Sequence, residues 1–203
     1  MGSITNFVTD IIAGNSLLAN NGEKSVQQAR RLKTLSCLWL VRKTYKRSRY
    51  AFSYLELVKN LMHKNRVTIY VSTRNDKVSS TVSVFGDSPK GLPLDSIYRS
   101  ETDALRAQGK KIAEVGKIAS FGAASAVISE VWDLMSGIRK YSVDNGIEYL
   151  CIAINPSHEF LYRKIGFISV GNVKTHPGVK APAVFMKVNV PEWMEKRKTN
   201  CCL

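Results

Sequence analysis

The sequence predicts an α/β fold with a mixed central sheet flanked by helices. Two β-branched, alternating runs, Val67–Ser72 and Val78–Phe85, lie on either side of a turn and predict an antiparallel hairpin. A long helical pattern, Ala124–Asn145, then stands between two apolar runs that predict strands. Strands that alternate with helices in this way are typical of a sheet covered by helices. A chain of 203 residues is long enough for one domain with a sizeable core.

The N-terminal region is predicted to be a helix followed by a linker. Its apolar residues form one helical stripe, which Gly14-Asn15 ends: Ile4, Phe7, Val8, Ile11 and Ile12. The polar stretch Gly14–Lys24 predicts a linker. We therefore expect residues 1–22 to be a helix and linker, and residues 23–203 to form a single domain. The first helix either packs on the core or forms a loosely attached lid.

The later elements follow from the same signals. Leucines and Trp39 near one face predict a helix at residues 25–45, and Asn145-Gly146 ends the long helix. In order, we expect the helix at 25–45, a helix at Tyr54–Met62, the hairpin, a loop at Gly86–Pro93, a helix at Ser96–Gln108, a strand at Lys111–Phe121, the helix Ala124–Asn145, strands at Ile147–Ile154, Phe167–Val170 and Ala183–Val190, and a basic tail at Pro191–Thr199.

The net charge of +14 predicts an acidic partner. Between Lys24 and Arg49 nine residues are basic and none is acidic. Such a run is either a solvated helix face or a surface for an anionic partner. Nucleic acid is not the expected partner, because the chain has no zinc-ligand spacing, no interleaving of aromatic and basic residues and no RNA-recognition signature.

Cysteine usage and hydropathy favour a reducing cytoplasm. Cys37 and Cys151 lie in apolar runs, where a thiol behaves as a small hydrophobic group, and no cysteine pair has metal-ligand spacing. No apolar run reaches the ~18 residues of a transmembrane candidate, and the N-terminus lacks a signal-peptide pattern. We expect no metal, no membrane span and at most a weak contact with a membrane surface.

Glu114 is the leading candidate for acid–base chemistry. It alternates with Ile112 and Gly116 on one face of the mostly apolar strand Lys111–Phe121, and Gly116 is the predicted site of a bulge. Burying an unpaired carboxylate is costly, so Glu114 needs a reason to be there. The reason is either functional, as a base acting directly or through a water, or structural, as one member of an ion pair with Arg106 or Lys117.

Other side chains also have both a functional and a structural interpretation. Tyr162 falls near a helical stripe with Phe160 and Ile165, where a tyrosine is usually a core residue. His158 stands at the start of the same predicted helix, where a histidine is more often structural than catalytic. Three basic side chains are able to grip a phosphate, although each alone is more often a solvated charge: Arg106, Lys117 and Arg163.

The segment Asn155–Phe167 carries a first resemblance. It follows an apolar run, begins with a proline turn, continues as a short amphipathic helix and ends at Gly166. A strand, a short helix with a tyrosine and a Gly-Phe stop resemble the way in which GNAT acyltransferases close their acyl-thioester cleft. The resemblance implies a GNAT-type fold, in which the strand Lys111–Phe121 splays from its neighbour and gives the sheet a V shape.

Two blocks of sequence narrow the resemblance. The first contains Gly91-Leu-Pro-Leu-Asp-Ser-Ile-Tyr98, Glu101, Leu105-Arg106 and Ala113-Glu-Val-Gly-Lys-Ile-Ala119. The second contains Asn155-Pro-Ser-His158, Phe160–Phe167 and Pro177–Val184. Over roughly residues 30–190 the chain resembles the N-acyl amino acid synthases, a GNAT-fold branch related to the acyl-homoserine-lactone autoinducer synthases.

This resemblance implies an acyltransferase that moves a long-chain fatty acyl group from acyl carrier protein to the α-amine of an amino acid, with tyrosine as the first candidate. It implies that Glu114 is the base or orienting acid and that Tyr162 is a proton donor to the leaving thiolate. It assigns substrate binding to a larger set: Glu101 and Arg106 near the amine, the backbone of Ile118, Ala119 and Ser120 beside the pantetheine arm, and Lys117 and His158.

The donor is expected to be a carrier protein rather than coenzyme A. GNAT acetyltransferases follow the central strand with a glycine-rich loop led by Arg or Gln, whose N–H groups hold the pyrophosphate of coenzyme A. Here Phe121-Gly-Ala-Ala-Ser-Ala-Val lacks that leading residue and spacing. Phosphopantetheine has one phosphate, so a reduced loop suffices, and no permanently bound cofactor is expected. Acyl carrier proteins are also acidic, which gives the basic N-terminal region a partner.

Two alternatives remain open. One is an acyl-homoserine-lactone-type synthase or a coenzyme-A-dependent acetyltransferase, and the other is a non-enzymatic acyl-binding protein that keeps the fold. The sequence also departs from the family pattern, because Gly116 and Lys117 stand where related chains often carry a small polar residue and an arginine. Lysine is not equivalent to arginine at a bidentate phosphate site.

Overall fold

The computed structural model of the chain describes residues 24–29, 31–48, 50, 66–75, 77–120 and 124–200. The predicted N-terminal helix, the predicted helix Tyr54–Met62 and the loop at residues 121–123 lie outside these ranges. The described residues cluster into two compact units, one within residues 1–84 and 117–138 and the other within residues 85–116 and 139–203. A single domain over residues 23–203 stays a prediction.

The helices and strands occur in the order that the sequence predicts, with the additions noted below. Their bounds are β1 Lys24–Gln28, α1 Arg31–Arg47, β2 Val67–Arg74, β3 Lys77–Gly86, α2 Asp95–Ala107, β4 Ile112–Ser120, α3 Ala124–Asp144, β5 Tyr149–Ile154, a 3-10 turn at Pro156–His158, α4 Glu159–Ile165, β6 Ile168–Ser169, β7 Lys174–His176, β8 Ala181–Asn189 and α5 Val190–Asn200.

The start of the helix predicted at residues 25–45 was wrong. A helix was expected from residue 25, but α1 begins at Arg31, because Lys24–Gln28 forms an edge strand that pairs antiparallel with Tyr70–Arg74 of β2. The residues of β1 are mostly polar, so local propensity gives little signal for a strand there. Pairing with a neighbour, rather than intrinsic preference, decides the conformation of such a segment.

The C-terminal segment also differs from the prediction. The expected basic tail is helix α5. Pro191 is tolerated in a first helical turn, and the side chain of Asn189 accepts a hydrogen bond of 3.1 Å from the N–H of Glu192. Trp193 is buried and its Nε1 donates to the carbonyl of Ile165 at 2.7 Å, so α5 begins on the core of its unit.

The first unit contains β1, β2 and β3, which are neighbours in that order. Helix α1 buries one face and leaves Leu35 and Trp39 on its outer face. Its buried residues include Cys37, Leu38, Leu40 and Val41.

Gly137 of α3 lies against the ring of Tyr70 on β2, where an added Cβ would be 2.5 Å from a ring carbon. The close approach of this helix to this strand therefore requires glycine.

The second unit contains the predicted mixed sheet. Strand β4 pairs parallel with β5, and β5 pairs antiparallel with β8 from Tyr149↔Asn189 to Ile154↔Val184. Strands β6 and β7 also pair antiparallel with β8. The core of the unit is formed by fully buried apolar side chains on these strands, among them Leu150, Ile152, Phe185 and Met186.

The V-shaped splay lies between β4 and β5. The paired residues are Ile112↔Tyr149, Ala113↔Leu150 and Glu114↔Cys151. Strand β5 then continues to Ile154 along β8, and β4 continues to Ser120. The two strands therefore separate just after Glu114, as the GNAT-type fold predicts.

Among the described residues, no helix is long and apolar enough to cross a membrane. Within the same part of the chain, no group of three or more His, Cys, Asp or Glu side chains is placed to hold a metal ion.

Candidate active site

Glu114 is the last residue of β4 that pairs with β5. Its side chain is buried, and Oε2 accepts a hydrogen bond of 2.7 Å from the N–H of Leu94. Burial and then the charge of Glu114 raise the pKa of the neighbouring Cys151 thiol to about 12. Cys151 is therefore a thiol near neutral pH and not a nucleophile. The chemistry available at this point of the sheet is that of the carboxylate.

Beyond Glu114 the backbone of β4 changes direction. Lys117 has φ of 53°, a left-handed conformation that is unfavourable for a residue with a side chain, and it follows Gly116, the predicted bulge position. An ideal Cβ at Gly116 would lie 3.3 Å from Oε1 of Glu114 and 3.6 Å from the ring of Phe85. The glycine thus leaves space beside the second carboxylate oxygen.

The loop before α2 supplies the amide that holds Glu114. Gly91 has φ of 75°, which favours glycine, and its N–H donates to the carbonyl of Ser88. The N–H of Leu92 donates to Oδ2 of Asp95 at 2.8 Å, and the N–H of Asp95 donates to the carbonyl of Leu92 at 3.0 Å. This closed turn orients the N–H of Leu94 toward β4.

Arg106 fixes the same loop from the end of α2. Its guanidinium donates to Asp87 through Nε and Nη2 at 2.8 and 2.9 Å, to Asp95 at 2.8 Å, to Asp103 at 2.6 Å and to the hydroxyl of Thr102 at 3.1 Å. Hydrogen bonds to Asp87 and then to Asp95, opposed by burial, raise the pKa of Arg106 above its usual range. All five N–H groups of a guanidinium are accounted for by these bonds.

This arrangement gives Arg106 a structural role, and contact between Arg106 and substrate stays a prediction. The contacts described link Arg106 to Glu114 indirectly, through Asp95 and the loop, and an ion pair of Glu114 stays a prediction. Sequence reasoning missed Asp87, Asp95 and Thr102 as site residues. Asp95 stood within the first quoted block, but nothing in its spacing indicated that it pairs with an arginine eleven positions later.

Glu101 lies on α2 and joins it to β7. Its Oε1 accepts from Nζ of Lys174 at 2.8 Å and its Oε2 accepts from the hydroxyl of Ser100 at 2.6 Å. Partial burial alone would raise the pKa of Glu101, but these hydrogen bonds lower it, so the group is ionised. Beside it, the fully buried Tyr98 donates its hydroxyl to the carbonyl of Ala183 at 2.6 Å. Binding of the amine by Glu101 stays a prediction.

Tyr162 lies in a different cluster of the same unit. It is buried on α4, and its ring meets that of Phe167 edge-on at 6.0 Å between centroids. Phe167 in turn lies 6.5 Å from the ring of Trp193. Helix α4 ends as predicted at Gly166, which has φ of 111°. A role for Tyr162 as proton donor stays a prediction.

His158 ends the 3-10 turn that precedes α4. The turn is capped by Asn155, whose side-chain oxygen accepts from the N–H of Ser157 at 3.0 Å. Burial lowers the pKa of His158, so its neutral form is favoured near pH 7. A neutral imidazole is able to accept or donate a hydrogen bond to a substrate, but substrate binding by His158 stays a prediction.

The remaining predicted binding residues lie on the last part of β4, in the first unit. Nζ of Lys117 lies 5.9 Å from the ring centroid of Tyr45 on α1. Ala119 is buried, whereas Ile118 and Ser120 are partly exposed. The predicted contacts of these residues with a pantetheine arm, and of Lys117 with its phosphate, stay predictions.

Comparison with known proteins agrees with the fold. A family model described as N-acyl amino acid synthase FeeM matches residues 36–189. The solved structure of FeeM, an N-acyl amino acid synthase from uncultured soil microbes, is 31% identical, with a TM-score of 0.78, and the match covers 86% of this chain and 95% of that chain. No curated protein sequence matches the chain.

More distant solved structures share the fold. The AHL synthase LasI is 14% identical with a TM-score of 0.57, and the match covers 84% of this chain and 91% of that one. Aminoglycoside 6'-acetyltransferase type Ii is 12% identical with a TM-score of 0.59, covering 82% and 97%. These likenesses confirm a GNAT acyltransferase fold and nothing narrower. Because the family model spans residues 36–189 and FeeM itself matches along nearly its whole length, this chain belongs to the FeeM family of N-acyl amino acid synthases, which are acyltransferases.

Proposed function

We propose that this protein transfers a long-chain fatty acyl group from acyl carrier protein to the α-amine of a free amino acid, with tyrosine as the first candidate. The observation that carries the proposal is the buried carboxylate of Glu114, held by the N–H of Leu94 at the point where β4 leaves β5. A splayed strand end gives an acyl thioester a place to enter the sheet. A buried carboxylate there gives the incoming amine a proton acceptor.

The reaction needs one base and one acid. The amine nitrogen forms a bond to the thioester carbon, and the bond from that carbon to sulfur breaks. One proton leaves the amine for Glu114, directly or through a water, and the departing thiolate takes up a proton, for which Tyr162 is the proposed donor. Because an α-amine is largely protonated near pH 7, it gives up one further proton to water before it attacks.

The choice of acyl carrier protein as donor is supported by the outer face of α1. Among its described side chains, this face combines the exposed apolar Leu35 and Trp39 with exposed cations. The cations are Arg42, Lys43, Lys46 and Arg47. An apolar centre bordered by one sign of charge fits an acidic protein partner, and the charge speeds the encounter.

The proposal is tested with purified protein, a long-chain acyl carrier protein and an equimolar mixture of the twenty amino acids. Mass spectrometry should detect an N-acyl amino acid, with N-acyl tyrosine dominant. Parallel reactions replace the donor by the matching acyl-coenzyme A or acetyl-coenzyme A, or the acceptor by S-adenosylmethionine. Faster turnover with a coenzyme A donor, an acyl-homoserine lactone as product, or the absence of any amide product would each overturn the proposal.

Docking of the carrier protein on α1 makes a separate prediction. Reversing the charge of Lys43 with Lys43→Glu should raise KM for acyl carrier protein about ten-fold, equivalent to ~1.4 kcal/mol, because like charges then face each other. KM for the amino acid should not change. Lys140→Glu is the matched control, since Lys140 is an exposed lysine on α3, outside the basic face. Equal effects of the two reversals would indicate general attraction by net charge and not docking on α1.

A further inference from the structure

The loop Gly91–Asp95 uses every backbone N–H that it has. The N–H groups of Gly91, Leu92 and Asp95 all close the loop itself, through Ser88, the Asp95 side chain and the Leu92 carbonyl. Pro93 has no N–H. The N–H of Leu94 reaches a distant strand: it donates to Oε2 of Glu114, twenty positions later on β4. The loop is therefore shaped to present one amide to one carboxylate oxygen.

Asp95 is the residue that holds this shape. Its side chain is only 4% exposed and accepts three hydrogen bonds, one from the loop and two from α2. Oδ2 accepts from the N–H of Leu92 and from Nη2 of Arg106, both at 2.8 Å, and Oδ1 accepts from the hydroxyl of Thr102 at 2.7 Å. Arg106 and Thr102 lie on α2, so Asp95 ties the first turn of the loop to the body of the helix.

We infer that Asp95 is a positioning residue for Glu114, and this inference rests on the proposed function. By fixing the loop, Asp95 keeps the N–H of Leu94 on Oε2 and leaves Oε1 directed toward Gly116, where the missing side chain provides space. The hydrogen bond to one oxygen opposes rotation of the carboxylate. Misplacement of a catalytic group by about 1 Å costs up to about a hundred-fold in rate.

The inference is tested with Asp95→Asn, Thr102→Val and the control Asp103→Asn. Asp103 also accepts from Arg106, at 2.6 Å, but its side chain is half exposed and makes no described contact with the loop. Asp95→Asn should lower kcat about ten- to a hundred-fold with little change in either KM. Thr102→Val, which removes one bond to Asp95, should lower kcat less. Asp103→Asn should keep the kcat of the unmodified protein.

Two further measurements test the two steps of the inference, from Asp95 to the N–H of Leu94 and from Asp95 to Glu114. Amide hydrogen exchange at Leu94, followed by NMR, should accelerate in Asp95→Asn and not in Asp103→Asn. In a Glu114→Gln background, followed by single turnover, Asp95→Asn should cause no additional loss of rate, because Asp95 acts through Glu114. Rate losses that multiply, unchanged exchange at Leu94, or unchanged kcat in Asp95→Asn would overturn the inference.

The two failures are distinguishable. If the unmodified protein turns over no acyl donor, the proposed function is wrong, while exchange at Leu94 still decides whether Asp95 holds the loop. If the unmodified protein is active and Asp95→Asn is equally active, the proposed function stands and the positioning role is wrong. Should Asp95→Asn not fold, Thr102→Val decides by the same measurements, since it keeps the buried charge and its arginine partner.

Discussion

Glu114→Gln should lower kcat/KM by about 10²- to 10⁴-fold, the range expected for loss of a general base. Glutamine has nearly the same shape, and its carbonyl oxygen is able to accept the hydrogen bond that the N–H of Leu94 donates at 2.7 Å. The amide cannot take a proton from the incoming amine. The loss should therefore appear in kcat while both substrates still bind, and it is measured by steady-state kinetics with acyl carrier protein and amino acid.

The control for this substitution is Glu148→Gln. Glu148 is a carboxylate just before β5 that accepts from Nζ of Lys110 at 2.9 Å and from the N–H of Lys111 at 3.0 Å. The substitution removes the same charge as Glu114→Gln. Glu148 also lies near β4, but its side chain is partly exposed and outside the splay. Its activity should equal that of the unmodified protein. A Glu114→Gln variant that folds and retains full activity would show that Glu114 is not the base.

The placement of Glu114 was predictable because it depends on a local pattern. Alternation with Ile112 and Gly116 places the carboxylate on one face of an apolar strand, and the structure buries it there. The end of α4 at Gly166 was predictable for the same reason, since a left-handed terminus favours glycine. Both signals lie within a few residues of the feature that they predict.

The network around Glu114 was not predictable, because its partners are far apart in sequence. Asp87 and Arg106 are nineteen positions apart, and Leu94 and Glu114 are twenty apart. The hydroxyl of Tyr98 reaches the carbonyl of Ala183, 85 positions away. Periodicity predicts which face of an element is buried, but it does not predict which buried polar groups meet. The resemblance placed Glu101 and Arg106 near the amine. The structure shows their partners within the protein: Lys174 for Glu101, and Asp87 and Asp95 for Arg106.

Gly91→Ala should destabilise the fold and also remove activity. The φ of 75° at Gly91 is unfavourable for alanine by about 1–2 kcal/mol. In addition, the new Cβ would overlap Oδ2 of Asp95, the atom that accepts from both Leu92 and Arg106. Displacing a buried carboxylate from a charged hydrogen bond costs a further ~1.5–3 kcal/mol. We therefore expect a total loss of about 2.5–5 kcal/mol in the free energy of unfolding.

Gly109→Ala separates the two causes of this loss. Gly109 follows α2 with φ of 70°, nearly the value at Gly91, but nothing lies within 4 Å of an added Cβ there. Its variant should lose only the backbone part, about 1–2 kcal/mol by urea denaturation, and should keep its activity. If Gly91→Ala loses no more stability than Gly109→Ala, Asp95 moves aside without cost. The loop would then not be held by Asp95. The hydrogen bonds that link Arg106 through Asp95 to Glu114 would contribute nothing to the free energy of unfolding.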